Sequence, residues 1–317
     1  MQNLPIVAMQ VGVLFALMGV GALSRLFSLV DEKGINGIVN ILILIVTPSL
    51  IIDVFNRPFD SSMMAGFCWA TFIALLTHIA LIFLVRFYNR GGEASRPVIR
   101  LAIVFSNAGF MGIPLEQAIL GAKGVFYGIA YVAIFNMIIW SWGLLEMRGE
   151  QANSSESSAK RIVKREMFLN PGTIGLIVGL PLFLFSYRLP QIIHTPISLL
   201  ASLNTPLAMI VIGYYLARSD FRRVLGSFDA YMASFARLIL SPLAMMAILA
   251  PFRSYFPREM MITLVLAASA PVAAMVSMFA SKFSRDVELS VGLVSATTLL
   301  SIFTMPPIIA LAMEIFP

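Results

Sequence analysis

The sequence predicts an all-α integral membrane protein of ten transmembrane helices, built as a 5+5 inverted repeat whose fourth and ninth helices are broken and cross. Three observations predict it. Of the 317 residues, 59% are hydrophobic and 12% are charged, with a mean hydropathy of +0.90, too little charge to cover a water-exposed surface. The apolar residues fall in runs of about 18–25, the length that crosses hydrocarbon as helix, and a helix satisfies its own backbone where no water can. Proline-bearing signals then recur at one spacing in the two halves of the chain.

The runs place spans at 4–23, 35–54, 63–85, 98–120, 125–146, 172–185, 197–217, 231–251, 260–281 and 289–315. The amino terminus has no basic segment before its apolar run, so it reads as the first span rather than as a cleaved signal. The sixth span is short unless Tyr187 to Pro190 extend it. The one long polar stretch, 148–170, carries Asn153-Ser154-Ser155-Glu156-Ser157-Ser158 and reads as a flexible linker. The domain organisation is therefore 1–147 for the first repeat, 148–170 for a cytoplasmic linker and 171–317 for the second repeat.

Charge sets the orientation. Alternate loops hold Arg25 and Lys33; Arg86, Arg90, Arg96 and Arg100; Arg148, Lys160, Arg161, Lys164 and Arg165; Arg218, Arg222 and Arg223; and Lys282 and Arg285, sixteen positive groups. The opposite loops hold five: Arg57, Lys123, Arg188, Arg253 and Arg258. By the positive-inside rule both termini lie outside the cytoplasm, and the net charge of +6 reflects topology rather than a nucleic-acid partner.

Thr47-Pro48 in span 2 matches Thr205-Pro206 in span 7, 158 residues later, and Pro114 in span 4 matches Pro271 in span 9 at 157. An offset of five spans inverts the second copy across the membrane. Span 4 reads Ser106-Asn107-Ala108-Gly109-Phe110-Met111-Gly112-Ile113-Pro114, and two glycines with a proline predict a break over 106–114. Span 9 reads Ala267-Ala268-Ser269-Ala270-Pro271-Val272-Ala273-Ala274, which predicts a break over 267–274 among small residues that allow a close crossing.

At these residues the sequence resembles the auxin efflux carrier family, including its bacterial members linked to malate or malonate transport. The segment Asn107 to Leu115 looks like that family's asparagine-led crossover motif. Asn170-Pro171, Met209 to Ala217, Arg237 with Pro242, and Thr304-Met305-Pro306 resemble family landmarks in the same order. The resemblance implies ten helices, as in bile-acid-symporter-like folds, with a scaffold domain and a transport domain holding two crossed broken helices. It further implies Asn107 as a substrate contact and Asn136, in span 5, in the place of a family amide. Span 9 lacks the glycine and glutamine that plant members carry beside the proline, a departure that argues against auxin itself.

Polar groups inside a membrane are costly, so each is a candidate. The expected substrate-binding set is Asn107, Gly109, Gly112, Pro114, Asn136, Ser269 and Pro271. Asn107 offers a donor and an acceptor beside the break, whereas Ser106 and Ser269 are expected to bond carbonyls of their own helix. Arg237, about 12 Å into span 8, is expected to snorkel or to pair structurally. His78, assigned with span 3 to the scaffold, is expected to be a satisfied core histidine. Glu116 is a candidate proton-coupling carboxylate, and Asp53 and Glu288 are expected to face water.

The sequence has no His-Glu-x-x-His, no Gly-x-Ser-x-Gly and no P-loop, which excludes the enzymes those motifs mark. Two histidines, His78 and His194, and the single Cys68 make no obvious metal set, so no metal or cofactor is expected. The expected partners are a small organic anion, a carboxylate above all, and the lipid bilayer of the cell membrane, with a homodimer as the assembly to test. The function expected is a secondary transporter working by alternating access, with efflux as one direction. Two readings stand beside it: a membrane sensor on a transporter scaffold, and a sodium-coupled organic-acid symporter of bile-acid type.

Overall fold

The computed structural model describes residues 4–149, 171–217 and 222–316. Its elements, in chain order, are α1 Leu4–Leu26, α2 Glu32–Phe55, α3 Ser61–Val85, α4 Ser95–Val104, α5 Ala108–Arg148, α6 Pro171–Leu184, α7 Gln191–Leu216, α8 Phe228–Phe252, α9 Arg258–Ser269, α10 Ala274–Lys282 and α11 Val287–Ile315. A single turn, Arg222–Leu225, precedes α8. Among the described residues no strand forms, apart from one isolated bridge between Ser106 and Val272. Seven helices (α1, α2, α3, α5, α7, α8 and α11) are long and apolar enough to cross a bilayer. On α1, Ile6, Met9, Val13 and Val20 are each more than half exposed, a continuous apolar face that suits lipid and not water.

The expected fourth and ninth spans each appear as two short helices. The second half of the fourth runs on into the fifth as α5, interrupted at Gly121, whose φ of 64° turns the chain sharply. A left-handed φ of that kind is open to glycine at little cost. The sixth span stays short, because Ser186 leaves the helix at φ 52° and its hydroxyl accepts the Phe59 N–H. The linker expected over 148–170 lies almost wholly outside the described residues.

Prolines shape the helices more subtly than a break. A proline cannot donate to the carbonyl four residues back, and its ring crowds that carbonyl. Three times the chain answers by widening the preceding turn into a π-helix: Leu42–Val46 before Pro48, Ala108–Gly112 before Pro114, and Ala236–Leu240 before Pro242. In each, the residue just before the proline reaches five residues back, Thr47 to Leu42, Ile113 to Ala108 and Ser241 to Ala236. The Thr47 hydroxyl donates to the same Leu42 carbonyl, at 2.8 Å.

Glycines set the closest helix pairs. A Cβ on Gly21 of α1 would fall 2.1 Å from the Ile210 carbonyl oxygen of α7, and one on Gly213 would fall 1.9 Å from the Met18 oxygen. Across α2 and α6, a Cβ on Gly175 would stand 3.0 Å from the Pro48 Cα, and one on Gly179 3.2 Å from the Phe55 Cβ. Small residues thus let backbones touch where no hydrophobic drive pulls helices together in lipid. A compact apolar cluster of Val7, Val11, Leu14 and Met18 with Leu42, Val46, Ala208 and Met209 joins α1, α2 and α7 to Met111, Leu115 and Leu266 of the broken helices. The larger core fills the space between α3, α4, α5, α8, α9, α10 and α11.

Polar contacts gather the helix ends into two groups. One group joins Arg100 to Glu146, Arg90 to Asp229, Arg223 to Asp286, and Arg285 to the carbonyls of Met147 and Glu93. The other joins His194 to Asp53, the Leu189 N–H to the Asn56 side chain, Lys123 to Glu259, and Arg258 to the Phe316 carbonyl.

Candidate substrate site at the helix crossing

The two interrupted helices meet at their interruptions. After α4 ends at Val104, Phe105 is extended, with φ −103° and ψ 114°. After α9 ends at Ser269, Ala270 is extended likewise, and Ala273 before α10 also holds an extended conformation. The two extended pieces run antiparallel and pair as a minimal ladder. The Asn107 N–H donates to the Pro271 carbonyl at 2.6 Å, and the Ala273 N–H donates to the Phe105 carbonyl at 3.0 Å. Two breaks that would each expose backbone in lipid thereby satisfy one another. Neighbouring helices add hydroxyls: Thr297 of α11 accepts the Val272 N–H at 3.1 Å, and Tyr131 of α5 lies 3.4 Å from the Ser106 hydroxyl.

The interruption in the fourth span comes earlier than the glycines and proline suggest. It covers Phe105 to Asn107, and helix resumes at Ala108, so Gly109, Gly112 and Pro114 all lie inside α5. Pro114 takes the first turn after the π-segment, where its missing N–H costs nothing. In the ninth span Pro271 sits within the break, as expected.

Asn107 is 5% exposed and caps the π-turn with its backbone oxygen, which accepts from Met111 at 3.0 Å and Gly112 at 3.1 Å. Its side-chain amide makes no hydrogen bond among the described residues. Two residues on, a Cβ on Gly109 would meet no atom within 4 Å, so space is open at that position. A Cβ on Gly112 would fall 4.0 Å from the Ala267 Cα, so α5 and α9 lie close just past the break. The Ser269 hydroxyl donates to Leu266 of its own helix at 2.8 Å, and Asn136 is half-buried on the far arm of α5. The crossing thus brings together Asn107, Gly109 and Pro271, with Gly112 behind them.

Of its two expected roles, Arg237 takes structural pairing and not snorkelling. It is 0% exposed and points to the crossing, not to a membrane surface. Its Nη1 donates to the carbonyls of Ile103 and Val104 at 3.1 Å each, and its Nη2 to the Ala268 carbonyl at 2.5 Å and to the Ser241 hydroxyl. One guanidinium therefore caps the carboxyl ends of both α4 and α9.

His78 departs from expectation in one respect. It is fully buried with Nδ1 2.8 Å from the Ala74 carbonyl, but Nε2 has no partner among the described residues. Its ring packs on Phe105 and Tyr131, at 6.0 and 5.1 Å between centroids, beside the crossing. Glu116 is 0% exposed, both carboxyl oxygens lack a hydrogen-bond partner among the described residues, and the group fills the space left by the missing side chain of Gly128. Asp53 is half-buried against His194 at 2.8 Å rather than facing water, while Glu288 is exposed. Sequence reasoning missed Thr297 and Tyr131, whose only signal was a hydroxyl in mid-span. An apolar crevice of about 500 Å³ lined by Ile73, Leu76, Phe83 and Ile248 opens elsewhere, between α3 and α8.

Comparison with known proteins finds relatives among transporters. An uncharacterized transporter of Methanothermobacter thermautotrophicus is 29% identical over 214 residues, 66% of this chain and 65% of its own length. The match thus spans just under two thirds of that relative. An uncharacterized transporter of Methanocaldococcus jannaschii is 24% identical over 303 residues, 90% of this chain and 92% of its own. The model of the membrane transport protein family matches residues 6–309. The chain is a multi-pass membrane protein that belongs to this family of transporters, the auxin efflux carrier family its motifs resemble.

Proposed function

We propose that the protein is a secondary carrier of a small organic anion, a short carboxylate, working by alternating access around the crossing of α4–α5 with α9–α10. The observation that carries this reading is the electrical asymmetry of the crossing. The carboxyl ends of both interrupted helices are capped by Arg237. The leading N–H groups of α5, by contrast, have no acceptor within their own helix and stand beside the free amide of Asn107 and the open space at Gly109. Helix amino ends carry partial positive charge and bind carboxylates in transporters of this kind. No Asp, Glu, Lys or Arg lies between Leu101 and Leu115 or between Met260 and Ser281, and the nearest acid, Glu116, is buried in the space at Gly128 behind Gly112.

Ten crossings in two inverted repeats fit the same observations. The close pair α1–α7 has its counterpart in α6–α2 under an exchange of repeats, each pair made by two glycines. The ladder at the crossing exchanges one hydrogen bond each way between the repeats. The two groups of helix ends alternate along the chain, as ten crossings require, and Arg90, Arg100, Arg223 and Arg285 of the charge-rich loops all fall in the first group. We place that group on the cytoplasmic side of the cell membrane.

Counterflow in proteoliposomes across a panel of short mono- and dicarboxylates tests the function. The expected result is exchange of at least one such anion, lost in Asn107→Ala. Preference for a cationic solute, or binding of an anion without flux, would replace the carrier reading.

A further inference from the structure

In carriers with interrupted helices, the carboxyl ends of the half-helices and their freed carbonyls are where a coupling cation is held. Here α4 and α9 end side by side, and the acceptors they free are the carbonyls of Ile103, Val104 and Ala268. Such a cluster of carbonyl oxygens with a hydroxyl, from Ser241, is the oxygen-rich shell a hard monovalent cation takes. The guanidinium of Arg237 occupies it. Arg237 comes from α8, fully buried, and four of its N–H groups reach this cluster, leaving only Nε–H without an acceptor. No ion pair among the described residues includes it, so its charge is answered by carbonyl and hydroxyl dipoles.

The geometry points to Arg237 as a tethered cation that permanently fills the coupling-ion position of the crossing, so that the protein carries its solute without sodium. A guanidinium cannot lose its proton in the range where proteins work, so the position is filled through the whole cycle and cannot deliver an ion gradient to the solute. The half-helix carboxyl ends are neutralised at all times, and the positive amino ends are left to attract an anion. Shape matters as well as charge: the planar fork spans two helix ends, which the single ammonium of lysine cannot do in the same geometry.

The inference rests on the carrier reading only for its consequence, and it can be tested with no solute at all. Thermal unfolding of the purified protein is followed in sodium, potassium and N-methylglucamine chloride at equal ionic strength, alongside binding of radioactive sodium. The wild type is expected to unfold at the same temperature in all three and to bind no sodium above background. Arg237→Ala vacates the carbonyl cluster. It is expected to lose thermal stability, to recover part of it in millimolar guanidinium or sodium, and to recover none in N-methylglucamine, which is too bulky to enter. Arg237→Lys keeps a cation in place and is expected to stay indifferent to sodium.

A role confined to packing would give no such ion selectivity, so recovery in N-methylglucamine equal to that in sodium overturns the proposal. Sodium-specific stabilisation of the wild type, or an Arg237→Ala protein as stable as wild type, overturns it too. Should Arg237→Ala fail to purify, the wild-type and Arg237→Lys measurements still decide. Sodium binding would sink this inference and leave anion carriage standing. Sodium indifference with no anion flux would sink the carrier reading instead.

Discussion

At Asn107 the backbone and the side chain have separate tasks. The main chain closes the ladder to Pro271 and caps the π-turn, while the amide remains unengaged beside Gly109. Removing the amide should therefore spare the fold and weaken the ligand. A hydrogen bond to a charged partner contributes about 1.5–3 kcal/mol, so Asn107→Ala is expected to raise the Kd for a transported carboxylate by roughly ten- to a hundredfold. Monodispersity and unfolding temperature should stay unchanged. Unaltered affinity would move the site elsewhere. Asp286 offers a second test at this scale. Burial pushes its carboxyl upward, but bonds from the Ser95 hydroxyl, the Leu289 N–H and Arg223 outweigh that and hold it below the usual carboxylate range. A depressed folded-state value means the stabilisation is complete above the unfolded value of about 3.9 and is lost as pH falls through the folded one. Unfolding temperature should accordingly drop on the acid side, and Asp286→Asn should flatten that limb. Asp286→Ala also removes the amino cap of α11, which costs about 0.5–2 kcal/mol.

Among the elements, glycine placement decides which helices touch. Gly21 and Gly213 each face a carbonyl of the opposing helix at a distance no Cβ tolerates. Gly213→Ala must push α1 and α7 apart, an overpacking expected to cost about 1–3 kcal/mol. Gly12, with no atom within 4 Å of its Cβ position, should accept alanine without loss. Thermal unfolding in one detergent compares them, and equal stability of the two variants would mean that the α1–α7 contact contributes nothing. Element existence was legible from apolar run length, and most helix ends fall within three residues of those expected. The start of α7, at Gln191 rather than 197, was hidden because His194, Thr195 and Pro196 read as loop although Pro196 is carried inside the helix. The π-turns were hidden for another reason. A proline announces that the helix must adjust, but whether it kinks, breaks or widens depends on tertiary contacts that the local sequence does not contain. That is why Pro114 pointed to a break that the chain makes seven to nine residues earlier, at residues with no local breaker among them.

For the whole molecule, the charge pattern yields a topology experiment. Reporters at either terminus should behave as non-cytoplasmic, and one at Ser154–Ser158 as cytoplasmic. A cytoplasmic carboxy terminus would refute ten crossings. Direction follows from energetics: an inside-negative potential contributes about 2.3 kcal/mol per charge per 100 mV. An uncoupled monoanion should thus leave the cell, and flux in liposomes should reverse sign when a potassium–valinomycin potential is reversed. An electroneutral flux would point to exchange or to a co-transported proton, for which buried Glu116 is the first group to change. The sequence signalled an interruption in each of the two spans, although the offset joined Pro271 to a proline that lies inside α5 and not in the first break. It could not carry the destination of Arg237, since burial of a guanidinium depends on carbonyls from two helices more than thirty and a hundred and thirty residues away.

The ladder at the crossing has a consequence for how such a protein can change over time. Its hydrogen bonds run from main chain to main chain, Asn107 to Pro271 and Ala273 to Phe105. Arg237 and Thr297 reinforce the junction from neighbouring helices, while the Asn107 amide takes no part in it. Replacements around the opening can alter which solute is accepted without first dismantling the junction on which the machinery turns. A lineage of such chains is free to explore new cargoes by single substitutions, each tested on an intact mechanism.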